Sequence, residues 1–309
     1  MTIVQDPEQD IAAGLVTAQA ADGGWSTVSG GPPDTESTAW AAMALADRTG
    51  DASRAALSGR DWLLRHQRPD GAWPVWPSVP VPGWTTSLAV LSLAGAEDGA
   101  ATAGAEWLLG SRASRASWSA RTLIRLGWIE PSVELDHSLT GFPWVPDTFS
   151  WVEPTSWAIL ALRALRGRLS ETEWRSRTDE AVELLLDRAC VGGGWNYGNR
   201  TVLGEDLWPY PDTTAIALLA LVDAGDHPAV TAGFRSLDEM LAGRASRLSL
   251  SLGVLARRAH GGDARDLQSR LEEAWAEEEI VAPTTRVQAL SLLALSSQAW
   301  PAPVSVEES

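Results

Sequence analysis

The sequence predicts an all-α protein, an (α/α)6 toroid or barrel built from helical hairpin repeats. A turn phrase ending in Trp recurs, an apolar segment beginning with Thr recurs, and the period-two alternation typical of strands is essentially absent. Trp is the dominant aromatic residue, with 17 copies against 3 Phe and 2 Tyr. The apolar segments begin about 33 to 59 residues apart, which is the range of helical hairpin repeats.

The turn phrase consists of an apolar helix end, then Gln, an Asp-Gly or Gly-Gly turn, and Trp. Its clearest copies are residues 15–25 and 62–73, and residues 184–195 form a copy that has lost the Gln. We expect the Trp that ends each copy to fill the gap between neighbouring outer helices. The turn phrase therefore marks where one hairpin meets the next.

The apolar segments are predicted to be the inner helices of the barrel. A helix that is apolar on every side must be buried on every side. Fainter segments begin near Ser119 and Arg247, which gives seven candidate starts for the six hairpins of a closed barrel, so one start is expected to be irregular. The five clear segments, each with a Thr seven residues before a Leu, are 38–45, 86–93, 155–162, 214–221 and 285–292.

The segments between them are predicted to be outer helices. Residues 54–67, 171–188 and 263–279 carry charge on one face and a Leu or Trp stripe on the other, as a helix on the outside of a core requires. The stripes include Trp62, Trp107 and Trp174.

The inner helices are expected to begin at residues 34–35, 154–155 and 211–213, where Thr, Asp or Pro suits a first helical turn. Because the inner helices share one direction, their N-termini gather at one end of the barrel, which we call the mouth. We expect function there.

Composition limits the classes of function. The formal net charge is −16 and all 24 basic residues are Arg, so nucleic acid is not an expected partner, and a Schiff-base lysine or P-loop lysine is excluded. The single Cys190 excludes an internal disulfide. The four His residues lie in different repeats, so no zinc or other metal site is expected.

The chain is expected to be one domain. Residues 1–300 are predicted to form a single α/α barrel and 301–309 a flexible C-terminal tail. Nothing in the sequence resembles a signal peptide or an apolar run of about 18 residues. We therefore expect a cytoplasmic protein with no transmembrane segment, for which peripheral contact with a membrane surface stays open.

The phrase Gln-x-x-Asp-Gly-x-Trp at 19–25 and 67–73 resembles the QW repeat of the squalene-hopene and oxidosqualene cyclases. Residues 193–197 and 211–215 are similar to other repeats of that superfamily, which includes class II diterpene cyclases and prenyltransferase β-subunits. The resemblance covers about residues 9–298. It implies an α/α barrel that binds a hydrophobic isoprenoid.

The resemblance also implies a reaction. Such cyclases protonate an alkene or epoxide with an aspartic acid of a DxDD motif and guide the carbocation through an aromatic-lined cavity. This chain has no DxDD and has room for one barrel. When the stretch 34–38 is aligned with DxDD, Glu36 stands at the position of the proton-donating middle Asp and Ser37 at the position of the last Asp. The stretch 209–213 keeps only the last Asp of the motif, as Asp212.

Acidic side chains are expected to crowd the mouth, where neighbouring Trp and Pro would remove their water. Carboxylates that repel one another and lose hydration have raised pKa values, which makes them general acids. Asp34 and Asp212 are also explained by helix capping, which leaves Glu36 as the best candidate acid. The predicted catalytic residues are Glu36, Asp34 and Asp212; Asp206 is a further acidic residue of the mouth.

Aromatic residues of the inner helices and the mouth are predicted to bind substrate. A ring facing a cation stabilises it by about 0.5 to 2 kcal/mol. The irregular loop 141–154 is a second candidate site, because long irregular segments in compact repeat folds are often functional. The predicted substrate-binding residues are Trp40, Trp84, Trp144, Trp151, Trp157, Trp208, Asp147, Glu153 and Tyr210.

Two classes of function remain open. The first is an isomerase or lyase of the terpene cyclase type, acting in isoprenoid biosynthesis and secondary metabolism by protonation-initiated cyclisation. The alternative is a small-molecule-binding or sugar-processing α/α barrel that has lost terpene chemistry. Protein prenyl transfer has less support, because the zinc ligands of that family are absent. No cofactor is expected; Mg²⁺ is expected only with a diphosphate substrate, which Arg121, Arg125 and Arg200 would bind.

Overall fold

Helices alternate between an outer and an inner layer along the chain. The computed structural model describes residues 6–114, 135–136, 138–277, 282–297 and 300. The outer helices of this part are α1 (Pro7–Ala18), α3 (Asp51–Arg65), α5 (Asp98–Gly110), α7 (Glu171–Asp187), α9 (Pro228–Leu241) and α11 (Arg265–Ala276). The inner helices are α2 (Thr35–Leu45), α4 (Thr85–Leu93), α6 (Val152–Ala164), α8 (Pro211–Ala220), α10 (Arg247–Ala259) and α12 (Thr285–Leu295).

The inner helices form a closed ring. Each packs against the next in chain order, and α12 packs against α2. Thr285, the first residue of α12, donates its hydroxyl to the Ser26 carbonyl at 2.6 Å and its backbone N–H to Thr27 at 3.1 Å, which joins the last hairpin to the first. The (α/α)6 prediction is therefore confirmed: the faint start at Arg247 is α10, whereas the one at Ser119 lies outside the described residues.

Each turn tryptophan bridges two consecutive outer helices. The indole N–H of Trp25 donates to the Leu15 carbonyl of α1 at 2.8 Å, and its ring lies on Gly59 of α3. A β-carbon at Gly59 would stand 2.6 Å from Cζ3 of Trp25, so only glycine leaves room for the ring. The same arrangement joins Trp73 to Leu63 and Gly104, and Trp195 to Leu185 and Gly233.

A Thr near the start of α2, α4, α6 and α8 fixes the turn before each of these helices. Thr38 accepts the backbone N–H of Trp25 at 2.9 Å, and Thr86 accepts that of Trp73 at 3.0 Å. The Gln of the phrase adds a second link, since Gln19 donates to the Ala55 carbonyl of α3 at 2.9 Å. These bonds satisfy backbone groups that would otherwise be buried without partners.

The fourth copy of the turn uses Phe142 in place of Trp. Its backbone N–H donates to Thr155 at 2.9 Å, and the Arg177 guanidinium lies 4.0 Å from the ring centroid. The sequence analysis did not include this copy, because it carries neither Gln nor Trp.

Helix starts differ from the expected positions by up to three residues, the largest difference being at α3, which begins at Asp51 rather than at residue 54. α6 begins at Val152 rather than at 154–155, and Tyr210 rather than Asp212 is the N-cap of α8. Two short strands that the sequence analysis did not predict, β1 (Thr201–Val202) and β2 (Glu205–Asp206), pair in an antiparallel hairpin. The predicted tail, 301–309, lies outside the described residues. Across the described ranges, no helix is both long and apolar enough to cross a bilayer.

Candidate functional site

Hydrogen bonds between neighbouring loops place the N-termini of the inner helices together. Thr35 at the start of α2 donates its N–H to Val75 in the loop before α4, and Trp84 donates to Trp144 in the loop before α6. Val152 donates in the same way to Tyr197. Each of these loops therefore lies at the start of the preceding inner helix, and together they surround the mouth.

An ion-pair cluster crosses the barrel axis at the mouth. Arg286, in the first turn of α12, donates from Nη2 to Glu153 Oε1 at 2.6 Å and from Nη1 to Glu36 Oε1 at 3.3 Å. Because α6 lies three helices away from α12 around the ring, the bond to Glu153 spans the interior. The side chains of Arg286 and Glu36 are each 23% exposed and that of Glu153 is 11% exposed, so the cluster is largely buried.

Burial and charge shift the pKa values in this cluster. Burial raises the pKa of Glu36, and the negative charges of Glu153 and Asp34 act in the same direction, against the lowering effect of Arg286. Burial lowers the pKa of Arg286, but the carboxylates of Glu153 and Glu36 more than offset it, so the pKa is raised overall. A raised carboxyl pKa is the property that a general acid needs near neutral pH.

The two aspartates predicted to act with Glu36 have local hydrogen-bond partners. Asp34 is buried and caps α2, accepting the backbone N–H of Ser37 at 2.7 Å and its hydroxyl at 2.9 Å. Asp212, in the first turn of α8, accepts the hydroxyl of Ser249 at 2.6 Å. Asp34 and Asp212 thus hold the first turns of inner helices at the mouth, and Asp34 also adds negative charge beside Glu36.

Two tryptophans lie one helical turn below the glutamates. Glu36 and Trp40 share a face of α2, and Glu153 and Trp157 share a face of α6, where the Trp157 indole donates to Glu153 Oε1 at 3.2 Å. The rings of Trp40 and Trp157 are both fully buried and meet edge-on with centroids 5.1 Å apart. The axis thus carries a charged layer above an indole layer.

A third indole, that of Trp300, completes this layer. Its centroid lies 5.6 Å from that of Trp40 and 6.4 Å from that of Trp157. Trp40 Nε1 is buried and makes no hydrogen bond to any described residue. We call Trp40, Trp157 and Trp300 the axial indole cluster.

The other predicted binding residues lie around the rim of the mouth. Trp84 and Trp144 meet edge-on at 4.9 Å, and Tyr210 packs on Tyr197 at 5.2 Å. Asp147 is exposed and adopts a left-handed backbone conformation with φ 63°. The rim also includes the half-buried Trp151, Trp208, which is 82% exposed, and the exposed Asp206. The structure therefore separates an axial group, which contains Glu36, Glu153, Trp40 and Trp157, from a peripheral group.

Three residues of the mouth and axis were missed by the sequence analysis: Arg286, Ser249 and Trp300. Arg286 carried a signal, since it is the only charged residue in the apolar helix α12. Of the arginines predicted to bind a diphosphate, Arg121 and Arg125 lie outside the described residues, and Arg200 directly precedes β1.

Two cavities among the described residues lie away from the axis. Two cavities of about 190 and 290 Å³ lie on the outer side of the ring, the first beside Arg163 and Asp223 and the second beside Arg257 and Asp263. In the part of the chain that the structure describes, no three His, Cys, Asp or Glu side chains are grouped to hold a metal ion.

The ring of six hairpins with its mouth at the inner N-termini defines the class II terpene cyclase-like fold. The type II terpene cyclase MstE from Scytonema superposes with a TM-score of 0.55 at 18% identity, covering 88% of this chain and 80% of that one. A variant of MstE in complex with geranylgeranyl dihydroxybenzoate gives 0.54 at 17% identity, covering 94% and 96%. A protein from Actinoplanes gives 0.54 at 16% identity, covering 94% and 97%.

Identities this low establish a shared fold and no more. No protein-family model matches the sequence, and no curated protein matches it.

Proposed function

We propose that this protein is an isomerase or lyase of the terpene cyclase type, in which Glu36 protonates an isoprenoid held in the barrel. One observation carries this proposal. Glu36, whose pKa burial raises, stands one helical turn above Trp40, which contacts Trp157. An acid and a pair of aromatic rings therefore share the axis. The acid at the mouth would protonate the substrate, and the rings below it would stabilise the resulting cation.

The chemical step requires a proton donor and no cofactor. The carboxyl of Glu36 gives its proton to one carbon of an alkene, whose π electrons form the new C–H bond and leave a carbocation on the other carbon. A further alkene of the same chain attacks this cation and closes a ring. Water takes a proton from the carbon next to the final cation, which forms a new double bond, and proton exchange with the solvent restores the Glu36 carboxyl, so the net reaction is an isomerisation.

Arg286 acts as a positioning residue. Its shorter bond goes to Glu153, at 2.6 Å against 3.3 Å to Glu36, so the Arg286 charge is held mainly by the opposite wall. Glu36 is then the less firmly paired carboxyl of the two. Glu153 in turn accepts the indole N–H of Trp157, which fixes the ring that would face the cation.

The charge of the mouth favours an uncharged isoprenoid. Asp34, Glu36, Glu153 and Asp212 are acidic, and Arg286 already pairs with two of them. A diphosphate would be repelled unless Mg²⁺ screened it. We therefore propose a neutral substrate between C10 and the size of squalene.

A binding protein without catalysis is the second candidate, and one observation favours it. Arg286 is paired with both glutamates, and the indole of Trp300 already contacts the two rings on the axis. In such a protein the same apolar axis would hold a ligand without protonating it. Sugar processing is a weaker form of this alternative, because the axis offers indoles and few hydrogen-bonding groups.

The test is turnover in deuterated water. Purified protein is incubated in D₂O with squalene, C10 to C20 prenyl alcohols and the corresponding diphosphates, with and without Mg²⁺, and products are analysed by mass spectrometry. We expect a cyclised isomer of the substrate in which one carbon-bound hydrogen has been replaced by deuterium, so that its mass is higher by about one unit. Glu36→Gln should lower the rate about 100-fold or more, the scale of general acid catalysis. The exposed Glu106 provides a matched control, as Glu106→Gln should leave the rate unchanged.

Two outcomes would contradict the proposal, the first for the acid and the second for catalysis. Full activity of Glu36→Gln would remove the proposed acid. Binding of an isoprenoid without any product, in a folded protein, would favour the binding protein instead.

A further inference from the structure

Trp300 lies on the barrel axis, although the last helix ends on the side opposite the mouth. α12 runs away from the mouth and ends at Leu295. Arg258, close to the end of α10, donates to the Ser296 carbonyl at 2.7 Å and holds Ser296 at this end. Trp300 then lies with its ring against Trp40 and Trp157 in the axial indole cluster.

The geometry of the cluster leaves no space between its rings. Centroid separations of 5.1, 5.6 and 6.4 Å correspond to direct contact, because carbon atoms in van der Waals contact are about 3.5 to 4 Å apart. A carbon chain cannot pass between these indoles. Of the three, Trp40 and Trp157 belong to inner helices, whereas Trp300 follows the last helix and is the member that can leave without disturbing the ring.

Trp40 carries a second indication of a ligand. Its indole N–H is fully buried and has no hydrogen-bond partner among the described residues. A buried donor without an acceptor is costly, and the indole of Trp300 offers only a ring face and another donor. A ligand with an acceptor oxygen would satisfy the Trp40 donor better than Trp300 does.

We propose that Trp300 occupies a ligand site: the surface formed by Trp40 and Trp157 binds a flat apolar group of about the size of an indole, and the side chain of Trp300 competes with it. The natural ligand would be the end of an isoprenoid or a ring bearing one oxygen. This inference goes beyond the proposed function, because it concerns occupancy of the axis and holds for a catalyst or a binding protein alike.

The first experiment measures indole binding by calorimetry and by ligand-induced change in Tm. In the full chain, Trp300→Ala should bind indole at least ten-fold more tightly than the wild type, with a rise in Tm of several degrees at millimolar indole. Trp107→Ala is the matched control, since Trp107 is also half-buried against the core but lies on the outer helix α5. Equal indole binding by Trp300→Ala and Trp107→Ala, or none by either, would overturn the proposal.

A second experiment does not depend on the stability of Trp300→Ala. Protein labelled with 5-fluorotryptophan is titrated with geranylgeraniol, and the fluorine resonance of Trp300 is assigned by its loss in Trp300→Phe. We expect this resonance to move to a solvent-exposed position as the ligand saturates. An unchanged Trp300 resonance at saturation would contradict the proposal.

The two proposals fail separately. If the wild type and Trp300→Ala both bind no isoprenoid while Trp300→Ala binds indole, the isoprenoid function is wrong and the indole-sized site stands. If the wild type turns over isoprenoids and Trp300→Ala binds neither indole nor isoprenoid more tightly than the wild type, the cyclase proposal stands. The proposal that Trp300 competes with a ligand is then wrong.

Discussion

Arg286 and Glu153 lie on opposite walls of the barrel and meet across its axis, where Nη2 donates to Oε1 at 2.6 Å. The contact joins residues from the last and the third inner helices, and the same guanidinium also reaches Glu36 on the first. One cation therefore links three of the inner helices at the mouth.

Replacing Arg286 should destabilise the protein in a pH-dependent way. Arg286→Gln leaves Glu36 and Glu153 close together without a cation. We expect this change to lower the free energy of unfolding by about 2 kcal/mol at pH 7. The loss is smaller than for a fully buried pair because the side chains are partly exposed. Without the lowering effect of Arg286 the pKa of Glu36 should rise further, so the loss should shrink as the pH falls. Urea denaturation between pH 4 and 8 measures this.

A surface pair gives the comparison for Arg286. Arg175 is 66% exposed and pairs with Glu171 one turn away, so Arg175→Gln should change the free energy of unfolding by less than about 0.5 kcal/mol. A loss in Arg286→Gln as small as this, or one that does not vary with pH, would argue against a structural role for the ion-pair cluster.

Glu36→Gln should be at least as stable as the wild type at neutral pH. Because folding raises the pKa of Glu36, the carboxyl stabilises the fold below its unfolded pKa and loses that contribution as the pH rises through its folded pKa. The neutral Gln avoids this loss, so its advantage in Tm should be present at pH 7 to 8 and vanish towards pH 4. A variant that is less stable than the wild type at pH 8 would show that the bond to Arg286 outweighs burial.

Gly59→Ala should destabilise the protein although alanine favours helices. The added β-carbon would stand 2.6 Å from the Trp25 ring, and such overpacking costs about 1 to 3 kcal/mol, more than the gain of up to about 1 kcal/mol in helix propensity. Gly99→Ala on α5 is the control, because a β-carbon there meets no atom within 4 Å. In thermal unfolding, Gly59→Ala should have a lower Tm than the wild type and Gly99→Ala a slightly higher one.

Thr214→Val should cost about 1 to 3 kcal/mol, because it leaves the buried backbone N–H of Trp195 without its acceptor at 2.9 Å. The exposed Thr231 on α9 offers the same change without a buried partner, so Thr231→Val should be nearly neutral. Equal Tm values for the two variants would mean that water replaces the hydroxyl at Trp195.

The fold could be predicted because the contacts that define its repeat join residues that are close in the sequence. Gln19, Trp25 and Thr38 lie within one hairpin, and their hydrogen bonds stay within that hairpin or reach the next outer helix. Spacing along the chain was therefore enough to place helices, turns and the shared mouth. The exact start of α6 and the N-cap of α8 were missed because Trp151 and Tyr210 occupy N-cap positions without making a side-chain cap.

The site was harder to predict because its contacts are distant in sequence. Glu36 was identified from its place in the first turn of an inner helix, but its partner Arg286 is 250 residues away. Helical periodicity indicates which face of a helix points inward and does not say which helices stand opposite each other. Trp300 had no periodic signal, since it follows the last helix.

The hydrogen bond from the Thr285 hydroxyl to the Ser26 carbonyl affects how the molecule unfolds. In an open solenoid the end units fray first, because each lacks one neighbour. Here the bond joins residues 259 positions apart, so every hairpin has two neighbours and none is terminal. Losing any one hairpin would expose two interfaces at once, so we expect a single all-or-none melting transition. Deletion of either end hairpin should unfold the entire ring.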